Sequence, residues 1–288
     1  EPGLVWIKPR SNADSNFLWD TVRGTNEMII TNSNGPQYNR TGVTAFNSNG
    51  FTLGNYAGVN TSGYTYVAWN FKAGGAAVAN TDGTISTQVS VNTTSGFSIS
   101  KYTGNGVSGA TFAHGLGSQV NLSIVKRTDA TAYWYVYSSL LPSNNNLYLN
   151  TADGKQADGV MLGGNTTTVS ISASTSVNAN GGQYVAYNFT SKPGFSKVGS
   201  YTGSGTAGNA VVTGFEPAFL MIKSSGSGGW HMYDNKRNPQ NPRDNTLEAN
   251  GNFTQSISTS RNFDFYSNGF QPKTTNSEFN GSGVTYIY

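Results

Sequence analysis

The sequence contains no cysteine, and only 11% of its 288 residues are charged. Without thiols the chain can form no disulfide, no thiolate metal site and no cysteine nucleophile. It also lacks an apolar run long enough to span a membrane and any amphipathic helical pattern of normal length. The formal net charge of +3 is small and dispersed, so the sequence shows no basic patch of the kind that binds nucleic acid.

Glycine, asparagine, serine and threonine are abundant instead, and aromatic residues reach 12%. Disordered chains usually show the opposite balance, with many charges and few aromatics. Short runs rich in Val, Ile, Thr and Tyr are separated by Gly and Asn, which is typical of strands joined by turns. The sequence therefore predicts an all-β protein.

Similar segments recur in the same order along the chain. The motif [Val/Phe]-Asn-x-x-Gly-x-x-Tyr occupies 59–66, 177–184 and 279–286, and an apolar segment ending on lysine occupies 4–8, 122–126 and 219–223. A Tyr-Thr-Gly tag follows Gly-Phe-Ser within 96–104 and 194–203, but no copy stands before residue 1. Internal similarity of this kind predicts tandem structural units.

We divide the chain into three repeat units, at 1–95, 96–193 and 194–288. The first unit would lack its opening strands and would carry an extra hairpin near 76–92, where Asn80-Thr-Asp-Gly83 predicts a turn. The last strand of the third unit would be truncated. Either the parent chain continues on both sides, or the gaps are completed by strands of another copy.

Alternation within the runs predicts the architecture of each unit. Val67, Trp69 and Phe71 fall on one face of a strand, and Trp134 and Val136 alternate with neighbouring tyrosines in the same way. One apolar and one polar face per strand is typical of antiparallel sheets packed as a sandwich. Each unit is therefore predicted to be a small antiparallel β-sandwich or jelly-roll-like unit.

The motifs together resemble a repeat module of marine and cyanobacterial phage virion structural proteins, which are often labelled tail-fibre-like. The likeness rests on Gly-Phe-Ser, Tyr-Thr-Gly-Asn-Gly, Ala113-His-Gly-Leu-Gly117, Ile-Val-Lys126 and Asn-x-x-Gly-x-x-Tyr-Val-Ala-Tyr, and it covers nearly the whole chain. The module usually has a proline where Val120 stands, and the third unit lacks the histidine. The resemblance implies a component of a virion surface, with receptor or glycan binding and no agreed catalytic site.

Few residues are spaced like a catalytic or metal site. His114 and His231 are the only histidines and lie far apart, so we predict turn and surface roles for them, with no catalytic residue, metal or cofactor. Asp20 and Arg23 recur as an Asp–Arg pair in the third unit. We predict structural ion pairs that anchor strand ends, formed by Asp20, Arg23, Asp234 and Arg237.

Aromatic residues are the feature that points to a ligand. Rings stack on the apolar faces of sugars while asparagine amides bond the hydroxyl groups. We expect Trp69, Trp134 and Trp230 to lie in the core. The candidate ligand-binding residues are the tyrosines that fall in loops or on outward faces, namely Tyr38, Tyr56, Tyr64 and Tyr148.

The sequence therefore predicts a non-enzymatic virion surface or fibre protein that serves structural display and host-receptor or glycan adhesion. Its partners would be other copies of itself, other virion or fibre subunits and a cell-surface glycan, with no nucleic acid and no membrane insertion. One alternative is a non-viral extracellular fibre subunit or surface adhesin assembled by strand exchange. A glycan-degrading enzyme is the third hypothesis, and it would need two carboxylates about 5–10 Å apart at one cleft.

Overall fold

The computed structural model describes all 288 residues, and its first strand begins at Leu4. All the strand pairs within its sheets are antiparallel. The first large sheet contains β1 (Leu4–Pro9), β2 (Phe17–Asp20), β3 (Gly24–Ile30), β4 (Tyr38–Asn39) and β7 (Tyr66–Phe71). Its strand order is β4-β3-β2-β1-β7. A small sheet of β5 (Val43–Asn47) and β6 (Gly50–Leu53) and the helix α1 (Ala57–Asn60) separate β4 from β7 in the chain.

The second large sheet has seven strands. They are β8 (Val78–Asn80), β9 (Thr87–Asn92), β10 (Phe97–Thr103), β12 (Leu122–Arg127), β13 (Tyr135–Ser138), β14 (Leu147–Tyr148) and β17 (Gln183–Phe189). Their order is β14-β13-β12-β17-β10-β9-β8. The second small sheet contains β11 (Ala110–Ala113), β15 (Met161–Gly164) and β16 (Thr168–Ile171) in the order β11-β16-β15, and α2 spans Thr175–Asn178.

The third large sheet has six strands. They are β18 (Ser200–Thr202), β20 (Phe219–Ser224), β21 (Trp230–Asp234), β22 (Asn245–Glu248), β23 (Ser256–Ile257) and β26 (Thr285–Ile287). Their order is β18-β26-β20-β21-β22-β23. The third small sheet contains β19 (Val211–Val212), β24 (Phe263–Tyr266) and β25 (Gly269–Pro272) in the order β19-β25-β24.

The helix α3 (Ser277–Asn280) precedes β26, and like the other two helices it is only four residues long. No helix has the length and apolar character needed to cross a membrane. The prediction of an all-β protein is confirmed.

Each large sheet packs one of its faces against its small sheet. In the second pair, Val125 and Tyr184 of the large sheet belong to the same apolar cluster as Phe112 and Ile171 of the small sheet. The first and third pairs enclose corresponding clusters. This two-layer packing places apolar side chains between two antiparallel sheets, as in a β-sandwich.

The opposite faces of the three large sheets meet in one central core. This cluster contains Trp6 and Trp69 from the first sheet, Trp134 and Tyr187 from the second, and Trp230 from the third. The expected burial of Trp69, Trp134 and Trp230 is therefore confirmed. Because full burial of one large apolar side chain contributes roughly 1.5–3 kcal/mol, the central core is a main source of stability.

The expectation of one polar face per strand is wrong for the central strands of the large sheets. All six residues of β1 are buried, with Val5 and Ile7 facing the first small sheet while Leu4 and Trp6 face the central core. Both faces of these sheets are covered, so apolar residues are favoured at successive positions, as in sheets buried between two layers. Trp134 and Val136 face the central core, whereas the alternating Tyr135 and Tyr137 face the core of the second sandwich and not the solvent.

The predicted extra hairpin is present, but it lies in a different sheet. Val78 of β8 pairs with Val89 of β9, and β9 in turn pairs with β10. We assigned 76–92 to the first unit on sequence, whereas these strands extend the second large sheet. The reason is local, because Ile85 and Thr87 are buried against β10 and β11.

Hydrogen bonds join the large sheets along the seams where their central faces meet. At the seam between the first and second sheets, the indole Nε1 of Trp134 donates to the carbonyl oxygens of Ile30 and Ser33, at 3.1 and 3.0 Å. At the seam between the second and third sheets, Nε1 of Trp230 donates to the carbonyl oxygen of Tyr148 at 2.8 Å. Each indole thus fixes two sheets to each other while its ring fills the core.

An asparagine closes the remaining seam, between the third and first sheets. Nδ2 of Asn16 donates to the carbonyl oxygens of Glu248 and Gly251, both at 2.9 Å. The hydroxyl of Thr31 donates to the carbonyl oxygen of Ala249 nearby, at 2.6 Å. The three large sheets therefore form a closed ring around one core.

Candidate functional site

Tyr133 and Tyr148 form a stacked pair at the β13–β14 end of the second large sheet. Their ring centroids are 4.8 Å apart and their planes differ by 13°. Tyr135 of β13 supports Tyr148 edge-on at 5.0 Å. Because Tyr133 is 45% exposed, part of the stack faces solvent. Of the four tyrosines predicted to bind a ligand, Tyr148 lies in the arrangement best suited to it.

Asp158 adds a polar group beside this stack. The Tyr148 hydroxyl donates to Asp158 Oδ2 at 2.9 Å, and Asn146 Nδ2 donates to Oδ1 at 2.5 Å. Burial, together with the hydrogen bonds to Tyr135 and Asp158, raises the pKa of Tyr148, so its phenol stays a donor. We call Tyr133, Tyr148 and Asp158 the tyrosine–aspartate platform.

The other predicted tyrosines lie elsewhere. Tyr38 and Tyr56 are half-buried against the core of the first sandwich, and the ring of Tyr56 packs edge-on against Phe17 at 5.5 Å. Tyr64 is 43% exposed and has no ring stacked on it. The structure thus brings none of these three together with Tyr148.

The first predicted polar pair is a buried ion pair at a seam. Arg23 Nε lies 2.6 Å from Asp20 Oδ2, and both side chains are almost fully buried. The phenol of Tyr187, from the second sheet, donates to the same Oδ2 at 2.7 Å. The pair follows the end of β2 and contacts the second sheet through Tyr187. The sequence analysis did not predict this contact between two sheets.

The second predicted pair has the same geometry in the third sheet. Arg237 Nε lies 2.6 Å from Asp234 Oδ2, and Nε1 of Trp69 in the first sheet donates to this oxygen at 3.1 Å. Burial alone would raise the pKa of Asp234, but the charge and hydrogen bonds of Arg237 outweigh it and hold that pKa below its usual value. The carboxylate therefore stays ionised at the seam.

The surface roles predicted for the histidines are wrong, because both side chains are buried. Nδ1 of His114 accepts from the backbone N–H of Leu116 at 3.2 Å, and its Nε2 lies 3.2 Å from the carbonyl oxygen of Asn165. Burial lowers the pKa of His114. A neutral imidazole with one acceptor and one donor nitrogen fits both partners, so His114 joins its own turn to the turn between β15 and β16.

His231 lies between two carboxylates that the sequence analysis did not connect. Its Nδ1 is 3.7 Å from Glu248 and its Nε2 is 3.5 Å from Glu278, while Arg261 contacts both carboxylates at 3.2 and 3.7 Å. Contact with His231 is the largest cause of the lowered pKa of Glu278. No group of His, Asp and Glu side chains in the chain is arranged to hold a metal ion.

Three lysines are fully buried, at the ends of the apolar segments noted in the sequence: Lys8, Lys126 and Lys223. Nζ of Lys126 donates to the carbonyl oxygens of Asn34 and Ala132, at 3.0 and 2.8 Å, so it bridges the first and second sheets. Burial lowers the pKa of Lys126 to about 7 and the pKa values of Lys8 and Lys223 to about 8. Their role is structural, because each Nζ donates to at least one main-chain oxygen.

The whole chain, residues 1–288, matches the family model described as Domain of unknown function (DUF7483). The chain belongs to this family. No curated protein and no solved structure matches it.

Proposed function

We propose that this DUF7483 chain is a non-enzymatic structural and adhesion protein of a virion surface or fibre, built from three copies of one sandwich unit. Strand order supports the repetition. In each large sheet the strand that follows the short helix lies beside the strand that contains the buried lysine; these pairs are β7 and β1, β17 and β12, and β26 and β20. The strand with the lysine is flanked on its other side by β2, β13 or β21. The proposed units are 1–95, 96–193 and 194–288, with β8 and β9 structurally part of the second.

Matching side-chain bonds support the same proposal. The side-chain Oδ1 atoms of Asn32, Asn150 and Asn250 each accept a hydrogen bond from the backbone N–H of the residue at, or immediately before, the start of β2, β13 or β21. The closed ring would make the unit a rigid support for display. If many copies of the chain were displayed along a fibre, weak binding at each site would give high avidity overall.

The tyrosine–aspartate platform is the observation that carries the adhesive part of the proposal. The exposed ring of Tyr133 offers an apolar face of the size of a pyranose ring, and Tyr148 stacked behind it keeps that ring in place. Asp158 supplies carboxylate oxygens that accept from sugar hydroxyl groups. An apolar surface with a few oriented polar groups is the usual chemistry of such sites.

Binding to an immobilised glycan array tests this proposal. We expect the wild-type chain to bind a subset of neutral glycans, and Tyr133→Ala to reduce the affinity about two- to tenfold, because a ring stack contributes about 0.5–1.5 kcal/mol. Tyr266→Ala is the matched control, since Tyr266 is 43% exposed but has no ring stacked on it. Equal loss in both variants, or no glycan binding by the wild type, would contradict the adhesive role.

A non-viral extracellular fibre subunit or surface adhesin assembled by strand exchange is the second candidate. Sedimentation at increasing concentration tests this candidate, because strand exchange predicts stable oligomers and a strict monomer would exclude it.

Glycan hydrolysis has the weakest support. The carboxylates of Glu248 and Glu278 both contact His231, one on either side of its ring. A glycosidase acid needs a raised pKa so that it holds a proton at neutral pH. The pKa of Glu278 is lowered instead, and Arg261 contacts both carboxylates. We therefore assign this cluster a structural role and propose no enzymatic activity.

A further inference from the structure

Arg243 is buried without a carboxylate partner. It precedes β22, pairs with Phe263 of β24 and is only 4% exposed. No carboxylate oxygen lies within 4.0 Å of its nitrogens, whereas Arg23 and Arg237 have such ion pairs. Removing a guanidinium from water costs free energy that a paired anion normally offsets. Arg243 therefore carries a charge that the chain itself does not neutralise.

Only one of the three guanidinium nitrogens of Arg243 has a hydrogen-bond partner. Nη1 donates to the carbonyl oxygen of Asn238. Nε is buried and has no partner. Nη2 also makes no hydrogen bond, but it is not buried, so it reaches solvent. The guanidinium carbon lies 5.3 Å from the centroid of the Phe265 ring, and this contact helps to fix the plane of the group.

The two unpartnered nitrogens lie on the same edge of the guanidinium. Their N–H bonds point in nearly the same direction, so this edge of an arginine can bind both oxygens of a carboxylate at once. Arg23 and Arg237 have side chains that are buried to a similar degree, at 2% and 3% exposure. In each of them Nε lies 2.6 Å from a carboxylate oxygen, of Asp20 or Asp234. In this fold, a buried Nε is thus paired with a carboxylate.

The acidic residues nearest to Arg243 in the chain and across its strand pairing have other partners. Asp244 follows it directly, and Oδ1 of Asp244 accepts from Asn238 Nδ2 at 2.5 Å. Asp264 follows the paired Phe263, and its Oδ2 lies 3.3 Å from Lys273 Nζ. Neither carboxylate forms an ion pair with Arg243. The counterion of this guanidinium must therefore come from outside the chain.

We propose that Arg243 binds the carboxylate group of an external small molecule through Nε and Nη2. The ligand would enter from the side of Nη2, which is open to solvent, and both N–H groups would gain an acceptor. The segment 238–242, which borders the guanidinium, contains no charged residue, so nothing in it repels an anion. The site is separate from the tyrosine–aspartate platform, and carboxylate binding goes beyond the glycan binding proposed for Tyr133.

A carboxylate is the anion that this chain favours at such a position. Sulfate and phosphate also bind to the forked edge of an arginine. However, both anions that the chain places at a buried Nε, Asp20 and Asp234, are carboxylates. A simple carboxylic acid and a sugar acid share this group, so one of each, acetate and glucuronate, serves as a probe.

NMR of the arginine Nε–H groups tests the proposal on the full chain. Sodium acetate and sodium glucuronate are titrated separately, with sodium chloride added to keep the ionic strength constant. We expect the Arg243 signal to shift saturably with both, and the tighter of the two identifies the source of the group. Sodium sulfate should bind more weakly. No shift with either carboxylate would refute the proposal, and equally tight binding of sulfate would overturn the assignment to carboxylates.

Two lysine substitutions locate the binding. Arg243→Lys keeps the positive charge but loses the fork, and should weaken binding at least about tenfold, measured by the rise in melting temperature with ligand. Arg40→Lys is the matched control and should leave binding unchanged, because Arg40 is exposed and donates to the carbonyl oxygen of Asn39. Equal weakening in both variants, or in neither, would refute the site. The wild-type titration decides the question even where Arg243→Lys does not fold, because the Arg243 signal can be assigned through its own backbone.

Discussion

The phenol of Tyr187 donates a 2.7 Å hydrogen bond to Oδ2 of Asp20, across the seam between the second and first large sheets. The same oxygen lies 2.6 Å from Arg23 Nε. All three side chains are buried, and burial raises the pKa of Tyr187 well above its usual value, so the phenol remains a donor. A charged acceptor in a buried site makes this one of the stronger bonds between the sheets.

Tyr187→Phe should lower the free energy of unfolding by about 1–3 kcal/mol, because a buried carboxylate loses one donor while the ring remains. Urea denaturation followed by tryptophan fluorescence measures this change. Tyr64→Phe removes a hydroxyl from an exposed ring and should change the free energy of unfolding by less than about 0.5 kcal/mol. Equal effects of the two substitutions would show that the seam bond adds nothing.

Asn16→Ala should also destabilise the fold by about 1–3 kcal/mol, because two seam carbonyls of the third sheet, at Glu248 and Gly251, lose their donor. The same denaturation experiment measures the loss. Asn39→Ala is the control, since Asn39 is exposed and its side chain makes no bond to another sheet. Asn16→Ala should lower the free energy of unfolding more than Asn39→Ala does, and equal effects of the two substitutions would contradict a stabilising bond at this seam.

The fold could be predicted from sequence as far as local pattern determines it. The alternation around Trp69 and Trp134 placed these rings in a core, and Gly- and Asn-rich turns indicated antiparallel strands. The same pattern could not show that the large sheets are buried on both faces. That depends on how three sheets assemble, and a strand such as β1 reads as a plain apolar run until its second neighbour is known.

For the candidate site, too, local sequence identifies single residues but not the contacts between residues that are distant in the chain. Tyr148 was identified by its place in a loop-like segment, but Tyr133 and Asp158 were not, because the stack and the hydrogen bond join residues from separate turns. His231 likewise meets Glu278 only through the packing of α3 on β21. A buried histidine cannot be told from an exposed one by spacing alone.

Stability should rise with pH between about 7 and 10 because of the buried lysines. The folded pKa of Lys126 is about 7, against 10.5 as its ordinary value, so in this window the unfolded chain binds more protons than the folded chain. Below pH 7 the folded state carries the full cost of a buried charge; this cost declines as pH rises above the folded pKa and is gone above the ordinary lysine pKa of 10.5. Lys8 and Lys223 act in the same direction.

Urea denaturation at pH 7 and pH 9 measures this effect. Lys126→Met should reduce the gain in stability over that interval, by up to about 1.4 kcal/mol per pH unit. Lys101→Met, at an exposed position, should leave the gain unchanged. A wild-type protein whose stability falls from pH 7 to pH 9 would contradict the assignment.

Glu278 should also make stability rise with pH, but in the acid range. Its folded pKa is lowered, chiefly by His231, so its contribution to stability is complete above the ordinary glutamate range and is lost as pH falls through the folded pKa. Glu278→Gln should therefore destabilise the protein at pH 7, and the difference from wild type should shrink at pH 3. Thermal melts at the two pH values, with the exposed Glu216→Gln as control, measure it.

The seam between the third and first sheets has a consequence for synthesis on the ribosome. Asn16 and its acceptor at Glu248 are 232 residues apart in the chain. The first and second sheets can associate through Trp134 while translation is still under way, but the face that bears Trp6 and Leu18 stays uncovered until the third sheet has emerged. The ring can therefore close only after the third sheet has been made, and until then the side chains of Trp6 and Leu18 lack the cover that this sheet provides.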